Sequence, residues 1–82
     1  MNPWGLTDSE AQMLDALCQH GRVEAAADAL GVTLAAARGR LREARLRMSG
    51  HKPHARHIVA LRGMPTILAC IRWAQWRGAA LP

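Results

Sequence analysis

The first run of apolar positions at helical spacing follows residue 6 and predicts a helix that ends near Gln19. Thr7 and Glu10 precede it at the spacing of a capping box, in which each residue's side chain bonds the other's backbone N–H. Gly21 follows where a helix end needs a left-handed residue. The apolar face of this helix consists of Met13, Leu14, Leu17 and Cys18.

Two further helices follow closely. A short, alanine-rich one is predicted over 23–30 and is stopped by Gly31, and Thr33 is placed to cap another over 34–48. The buried stripe predicted for this third helix is Ala37, Leu41, Ala44 and Met48. At about 100° per residue, that stripe leaves Ala35, Gly39, Arg42 and Leu46 pointing away from the core.

A last helix is predicted from Thr66 to about Arg77, with Pro65 near its first turn. It is apolar on more than one face and therefore needs cover on more than one side. The segment 54–63 fits either a helical turn or a short extended piece. We therefore expect an all-α fold of four to five helices in a single domain, 1–82. It would comprise a helical core over 6–48, a connector over 49–64 and a C-terminal dimerisation helix over 65–78.

Composition points to a small core that benefits from a partner. The chain of 82 residues has no Phe or Tyr and three Trp, so its core must come from Leu, Ile, Val, Met and Ala. Small side chains bury little area each, and a short chain buries a modest share of its surface, which favours self-association. We expect Cys18 and Cys70 to be reduced, inert core residues.

Charge divides the chain into two halves. Five of the six acidic residues precede residue 30, whereas ten of the eleven basic residues follow it. Ten of the eleven basic residues are Arg, whose planar fork of donors suits phosphate and guanine edges. A basic half on a helical domain indicates a nucleic-acid binder, although a merely solvated basic face remains an alternative.

Several other classes of function lack a signal. No stretch has the apolar length of a membrane span, and the N-terminus lacks the layout of a signal peptide, so we expect a cytoplasmic protein. No catalytic pairing or phosphate-binding glycine loop is evident, so we expect no enzyme activity, no cofactor and no metal. His51, His54 and His57 recur every three residues, but Pro53 argues against a helical metal site there. A basic loop near DNA is the favoured role for these histidines together with Lys52 and Arg56.

The junction of the second and third predicted helices has the layout of a helix-turn-helix. Ala25, Ala26 and Ala29 are small enough for the two helices to cross closely. Gly31 suits the tight turn, and Val32 supplies the apolar residue that fills the gap between the helices. An ordinary helical hairpin with an alanine interface is the alternative, but it does not explain the arginines that follow.

Roles for the basic helix follow from its outward face. Small residues there allow close approach to a DNA groove, and we expect Arg38 and Arg42 to contact base edges. The remaining arginines, with Thr33 at the helix start, are better placed for phosphates. The predicted DNA-contact set is Arg22, Thr33, Leu34, Ala35, Ala36, Arg38, Gly39, Arg40, Arg42, Arg45 and Arg47.

These motifs resemble a known family. Leu6-Thr7-x-x-Glu10, Leu14, Leu17, Gly21, Ala25-Ala26 and Leu30-Gly31-Val32-Thr33 are similar to the DNA-binding domain of LuxR-type regulators, which is related to sigma-factor region 4. The likeness covers residues 6 to about 48 and, more loosely, the last helix. It implies a four-helix domain whose last helix mediates dimerisation. The family usually has Thr-Val where this chain has Ala36-Ala37, and it often has a basic residue at the position of Ala35, so its base contacts are not carried over at Ala35.

The first functional hypothesis is a stand-alone, phage-type repressor. It would bind a palindromic site in double-stranded DNA as a homodimer, with no small-molecule effector. The predicted dimerisation residues are Ile67, Leu68, Ile71, Trp73 and Trp76. Two alternatives stay open. The stretch 21–27 also looks like the DNA-recognition domain of phage small terminase subunits, which form rings. An adaptor that binds another polypeptide through the tryptophan-bearing helix is the third hypothesis.

Overall fold

The computed structural model describes residues 2–50 and 63–80, and every regular element in these ranges is an α-helix. The four helices are α1 (Asp8–His20), α2 (Val23–Leu30), α3 (Leu34–Met48) and α4 (Thr66–Ala80). The predicted all-α fold is therefore confirmed for the described residues, and α1 and α4 run slightly longer than predicted. Residues 51–62, which carry the predicted basic loop and its three histidines, lie outside the described ranges.

Local capping chemistry fixes where the helices begin and end. The Thr7 hydroxyl accepts a hydrogen bond from the Glu10 amide at 3.2 Å, and the Glu10 carboxylate accepts one from the Thr7 amide at 3.0 Å. Gly21 ends α1 with a φ of 79°, in the left-handed region that glycine adopts without strain. The Thr33 hydroxyl accepts from the Ala36 amide at 3.1 Å and caps α3. All three predicted signals are thus confirmed.

The first three helices pack around a core of methionine, leucine and alanine. Met13 and Leu14 of α1 are fully buried. The predicted stripe of α3 is confirmed, since Ala37, Leu41, Ala44 and Met48 are all buried. On α2 the prediction for one alanine was wrong. Ala29 is exposed, whereas Ala26 and Ala27 are buried. These two adjacent residues lie on the side of α2 that packs against α1 and α3.

Tryptophan attaches α4 to this core. Trp73 is 2% exposed, and its ring lies 6.1 Å from that of Trp4 and 5.1 Å from that of Trp76. Its indole N–H donates to Asp15 on α1 at 2.7 Å. The prediction that Trp73 lies on a dimer surface is therefore wrong. A large ring with a polar N–H is well placed inside the chain's own core when an acceptor is at hand.

Trp76 is also engaged within the chain. It is half-buried and packs edge-on against Trp4, with ring centroids 6.3 Å apart. Arg77 completes the attachment, since its guanidinium bonds the Asp15 carboxylate and lies 5.2 Å from the Trp73 ring centroid. α4 is therefore held against Trp4 of the N-terminal segment by aromatic packing, and it is joined to α1 by one carboxylate that serves two donors.

The chain returns across the outer side of α3 at its C-terminal half. The Met64 amide donates to the Arg45 carbonyl at 3.0 Å, and a Cβ added at Gly63 would lie 2.6 Å from the Arg45 carbonyl carbon. Leu46, predicted to point away from the core, is not part of the main core cluster but is only 1% exposed, so it is covered rather than open to solvent. Helical periodicity alone could not show that a distant segment approaches this part of α3.

The predicted core positions of the two cysteines differ in outcome. Cys18 is exposed rather than a core residue, whereas Cys70 is half-buried against the core. Within the described ranges, no helix is both long enough and apolar enough to cross a membrane.

Candidate nucleic-acid interface

A tight turn fixes α2 relative to α3. Gly31 has a φ of 69°, and its amide donates to the Asp28 carbonyl at 3.1 Å. The next amide, that of Val32, donates to the Ala27 carbonyl at 3.1 Å, so both bonds satisfy carbonyls at the end of α2. The Val32 side chain is half-buried and packs against the core. The tight turn predicted at Gly31 between the two helices is therefore confirmed.

The N-terminal half of α3 presents a smooth outward face. Ala35, Ala36 and Gly39 are all exposed, and none carries a side chain longer than a methyl group. A Cβ added at Gly39 would meet nothing within 4 Å, so the fold itself does not require glycine there. Leu34, at the edge of this face, is half-buried. A helix face of this kind can approach another surface more closely than one covered by long side chains.

Two guanidinium groups flank that face. Arg38 and Arg42 are exposed, and neither takes part in an ion pair or side-chain hydrogen bond among the described residues. They are one helical turn apart, so both reach the same side of α3. Arg40 is half-buried on the adjacent side. The arrangement leaves positive charge available around a surface that is otherwise small and neutral.

Two further groups border the interface from the preceding helix and turn. Arg22 is exposed at the start of α2 and makes no side-chain capping bond. Thr33 is exposed at the start of α3, where the first backbone N–H groups have no partner within the helix. These amides and the helix dipole make that end of α3 favourable for an anion such as phosphate.

Arg47 lies apart from this group and is used within the fold. Its Nε lies 3.0 Å from a carboxylate oxygen of Glu10, which is 2% exposed. A buried carboxylate is costly without a cation and hydrogen bonds, and Arg47 together with the Thr7 amide supplies both. The structure therefore places this predicted phosphate contact on the scaffold side of α3.

Arg45 is also engaged within the chain. Its Nε donates to the Met64 carbonyl at 2.6 Å and so helps hold the returning chain against α3. Most of the predicted contact residues are exposed, and Leu34 and Arg40 are half-buried; the exposed ones are Arg22, Thr33, Ala35, Ala36, Arg38, Gly39 and Arg42.

A separate apolar patch lies on α4. Ile67, Leu68 and Ile71 are 77%, 38% and 48% exposed, so these three predicted dimerisation residues are available at the surface. Ile67 and Ile71 also line an open groove of about 330 Å³ between α1 and α4. The residues that border this groove are Leu17, Cys18, Gly21, Thr66, Ile67, Cys70 and Ile71.

Comparisons with protein-family models, with characterised proteins and with solved structures found no match to this chain. Guanidinium groups, free helix-end amides and an unobstructed helix face suit a polyanion with a groove.

Proposed function

We propose that this protein is a sequence-specific regulator that binds double-stranded DNA as a homodimer. The observation that carries the proposal is the exposed N-terminal half of α3, where a smooth surface is flanked by Arg38 and Arg42. A face of this kind fits the major groove of B-DNA, which is wide enough to admit one α-helix. The capped turn between α2 and α3 supports the same interpretation, because it holds α3 at a fixed angle.

Each side chain has a role in this proposal. Ala35, Ala36 and Gly39 allow close approach, and their small surfaces can contact a thymine methyl group. Arg38 and Arg42 bind guanine edges, since a guanidinium can donate to both acceptor atoms of guanine in the major groove. Phosphate contacts from the flanking groups fix the register without carrying sequence information. Those flanking groups are Arg22, Thr33 and Arg40.

The dimer is proposed to form through the apolar patch on α4. Ile67 is more than three-quarters exposed, and exposed isoleucine on a helix is favourable mainly when another surface covers it. A two-fold pair of chains would read a palindromic site with half-sites about one helical turn of DNA apart. The resemblance to LuxR-type domains supports this arrangement.

Selection of duplexes from a random pool tests the function directly. The protein should enrich a palindromic sequence, and the bound species should have the mass of two chains by light scattering. A ring of many chains would favour the terminase-like alternative. A monomer that enriches no duplex at low salt would contradict DNA binding and favour the adaptor.

A surface substitution tests the dimer separately. Ile67→Glu should leave the fold intact because this side chain lies in solvent, and it should shift the chain toward the monomer. Gln75→Glu on α4 is the matched control, since it adds the same charge at another exposed position. Equal dimer stability in both variants would show that Ile67 is not in the interface.

A further inference from the structure

The two cysteines meet where α4 packs on α1, although they are 52 residues apart in sequence. The Cys18 thiol donates to the Cys70 carbonyl, with sulfur and oxygen 3.7 Å apart. Both cysteines also line the same groove between α1 and α4. The sequence spacing gave no indication of this pair, because only the docking of α4 creates it.

The pair is open to solution on one side. Cys18 is exposed, Cys70 is half-buried, and both border the apolar groove between α1 and α4. A small reagent can therefore reach the Cys18 sulfur first, and Cys70 is the residue whose carbonyl that thiol already contacts. This is the geometry of an attacking thiol followed by a resolving thiol.

We propose that Cys18 and Cys70 are a modification site at which a small-molecule disulfide, such as oxidised glutathione, drives formation of an intramolecular disulfide. The Cys18 thiolate attacks one sulfur of the reagent, whose other sulfur leaves as a thiolate. The Cys70 thiolate then attacks the Cys18 sulfur and displaces the second glutathione. The protein loses two electrons and two protons, and both glutathione molecules leave as thiols.

The pKa values of the two thiols determine how fast this reaction proceeds at a given pH. Burial, then the Cys70 thiol and the Asp15 carboxylate, raise the pKa of Cys18 to about 11. Burial also raises the pKa of Cys70. Since only the thiolate attacks a disulfide, the bridge should form slowly at neutral pH and faster in mild alkali. The site would therefore respond to sustained oxidation rather than to a brief exposure.

A bridge at this position has a structural consequence that is independent of DNA binding. Among the described residues, α4 is joined to α1 by the Trp73 and Arg77 contacts to Asp15, and a disulfide would add a covalent link beside them. It would also close a long loop in the unfolded chain, which favours the folded state. Oxidation should therefore raise the melting temperature, by about 5–10 °C for a domain of this size.

The test is a redox titration of the whole chain in glutathione buffers, with peptide mapping after acid quenching. The native chain should form the Cys18–Cys70 bridge at a thiol-to-disulfide ratio at least about tenfold more reducing than the same chain in urea, because folding holds the thiols together. The increase in melting temperature should disappear on reduction. Cys18→Ser and Cys70→Ser should each retain one mixed disulfide with glutathione and show no increase.

Two results would overturn the proposal. One is stable glutathione adducts on the native protein, or bridges between chains, in place of the internal disulfide. The other is a native chain that forms the bridge no more readily than the unfolded chain. Both comparisons use the unsubstituted protein, so a serine variant that folds poorly cannot obscure the outcome.

Discussion

Gly39 is a residue at which stability and the proposed function favour different side chains. It lies inside α3, where glycine costs about 1 kcal/mol relative to alanine. A Cβ at this position would meet no other atom within 4 Å, so alanine fits the fold. In the proposed complex, close approach of DNA to the outward face of α3 would favour the smaller residue.

Gly39→Ala should therefore have two opposite effects. The free energy of unfolding, measured in urea, should rise by about 1 kcal/mol, and the affinity for the selected duplex should fall about tenfold because the added methyl crowds the groove. Gly78→Ala is the matched control on α4, where an added Cβ also meets open space. If Gly39→Ala binds DNA as tightly as the unsubstituted chain, this face does not approach the bases closely.

Asp15 is the residue that joins α4 to α1 electrostatically. The Arg77 guanidinium, with help from the Trp73 N–H, holds the pKa of this carboxyl below its ordinary value of 3.8, against the opposing effect of partial burial. A carboxyl with a lowered pKa in the folded state stabilises the fold above its unfolded pKa. That stabilisation is lost as the pH falls through the folded value.

The melting temperature of Asp15→Asn should therefore lie below that of the unsubstituted protein at neutral pH. The difference should begin to shrink as the pH falls below about 3.8, where the carboxyl of the unfolded chain takes up a proton, and it should vanish only below the lowered folded pKa, where the native carboxyl is protonated too. Asn keeps an oxygen that can accept from Trp73, so the comparison isolates the charge. Melting curves across this pH range provide the measurement, and a constant difference would contradict the role of the ion pair.

Among the helices, the sequence predicted the caps, the turn and the buried stripe that depend on residues close together in the chain. The capping box of Thr7 and Glu10 and the turn at Gly31 depend on residues within a few positions of each other, so their patterns are legible in the chain. The same holds for the buried stripe of α3, which follows helical periodicity. These local signals yielded the first three helices and the outward face of α3.

What the sequence did not predict depends on contacts between distant elements. Asp15 and Trp73 are 58 residues apart, and Glu10 and Arg47 are 37 residues apart. Periodicity shows that Trp73 lies on an apolar face of α4, but not whether that face meets α1 or a second chain. The same limit explains the wrong prediction of a core position for Cys18, and it hid the cover over Leu46.

Arg47 of α3 pairs with Glu10 of α1, so we expect it to stabilise the fold rather than to contact phosphate. Arg47→Gln should lower the free energy of unfolding by about 2–3 kcal/mol, because the buried Glu10 carboxylate loses its cation. DNA affinity, measured under conditions where the variant is folded, should stay unchanged. Adding Glu10→Gln should recover part of the loss, since no buried charge then remains. A stable Arg47→Gln variant with weakened DNA binding would instead indicate a phosphate contact.

At the scale of the whole molecule, the acidic half of the chain neutralises part of the basic half. Glu10 pairs with Arg47, and Asp15 pairs with Arg77. Among the described residues, Arg22, Arg38 and Arg42 have no such partner and are exposed, so their positive charges remain available for the proposed interface. The charge asymmetry thus serves the fold as well as the proposed interface.

This distribution predicts the strength of the salt dependence. If a dimer uses Arg22, Arg38, Arg40 and Arg42 of each chain, the logarithm of the affinity should fall with the logarithm of salt concentration with a slope no steeper than about −7. A steeper slope would mean that further cations contact phosphate, either Arg45 and Arg47 or Lys52 and Arg56 of the predicted basic loop.

The most direct test of the central claim is the affinity of substituted chains for the selected duplex, measured by fluorescence anisotropy over a range of salt concentrations. Arg38→Gln and Arg42→Gln should each weaken binding by about tenfold or more and reduce discrimination against random duplex. Arg72→Gln, at an exposed position of α4, should bind within about twofold of the unsubstituted chain, because phosphate steering at that distance is screened. Equal affinities for all three variants, or no duplex binding by the unsubstituted chain at low salt, would contradict the proposal that α3 reads DNA.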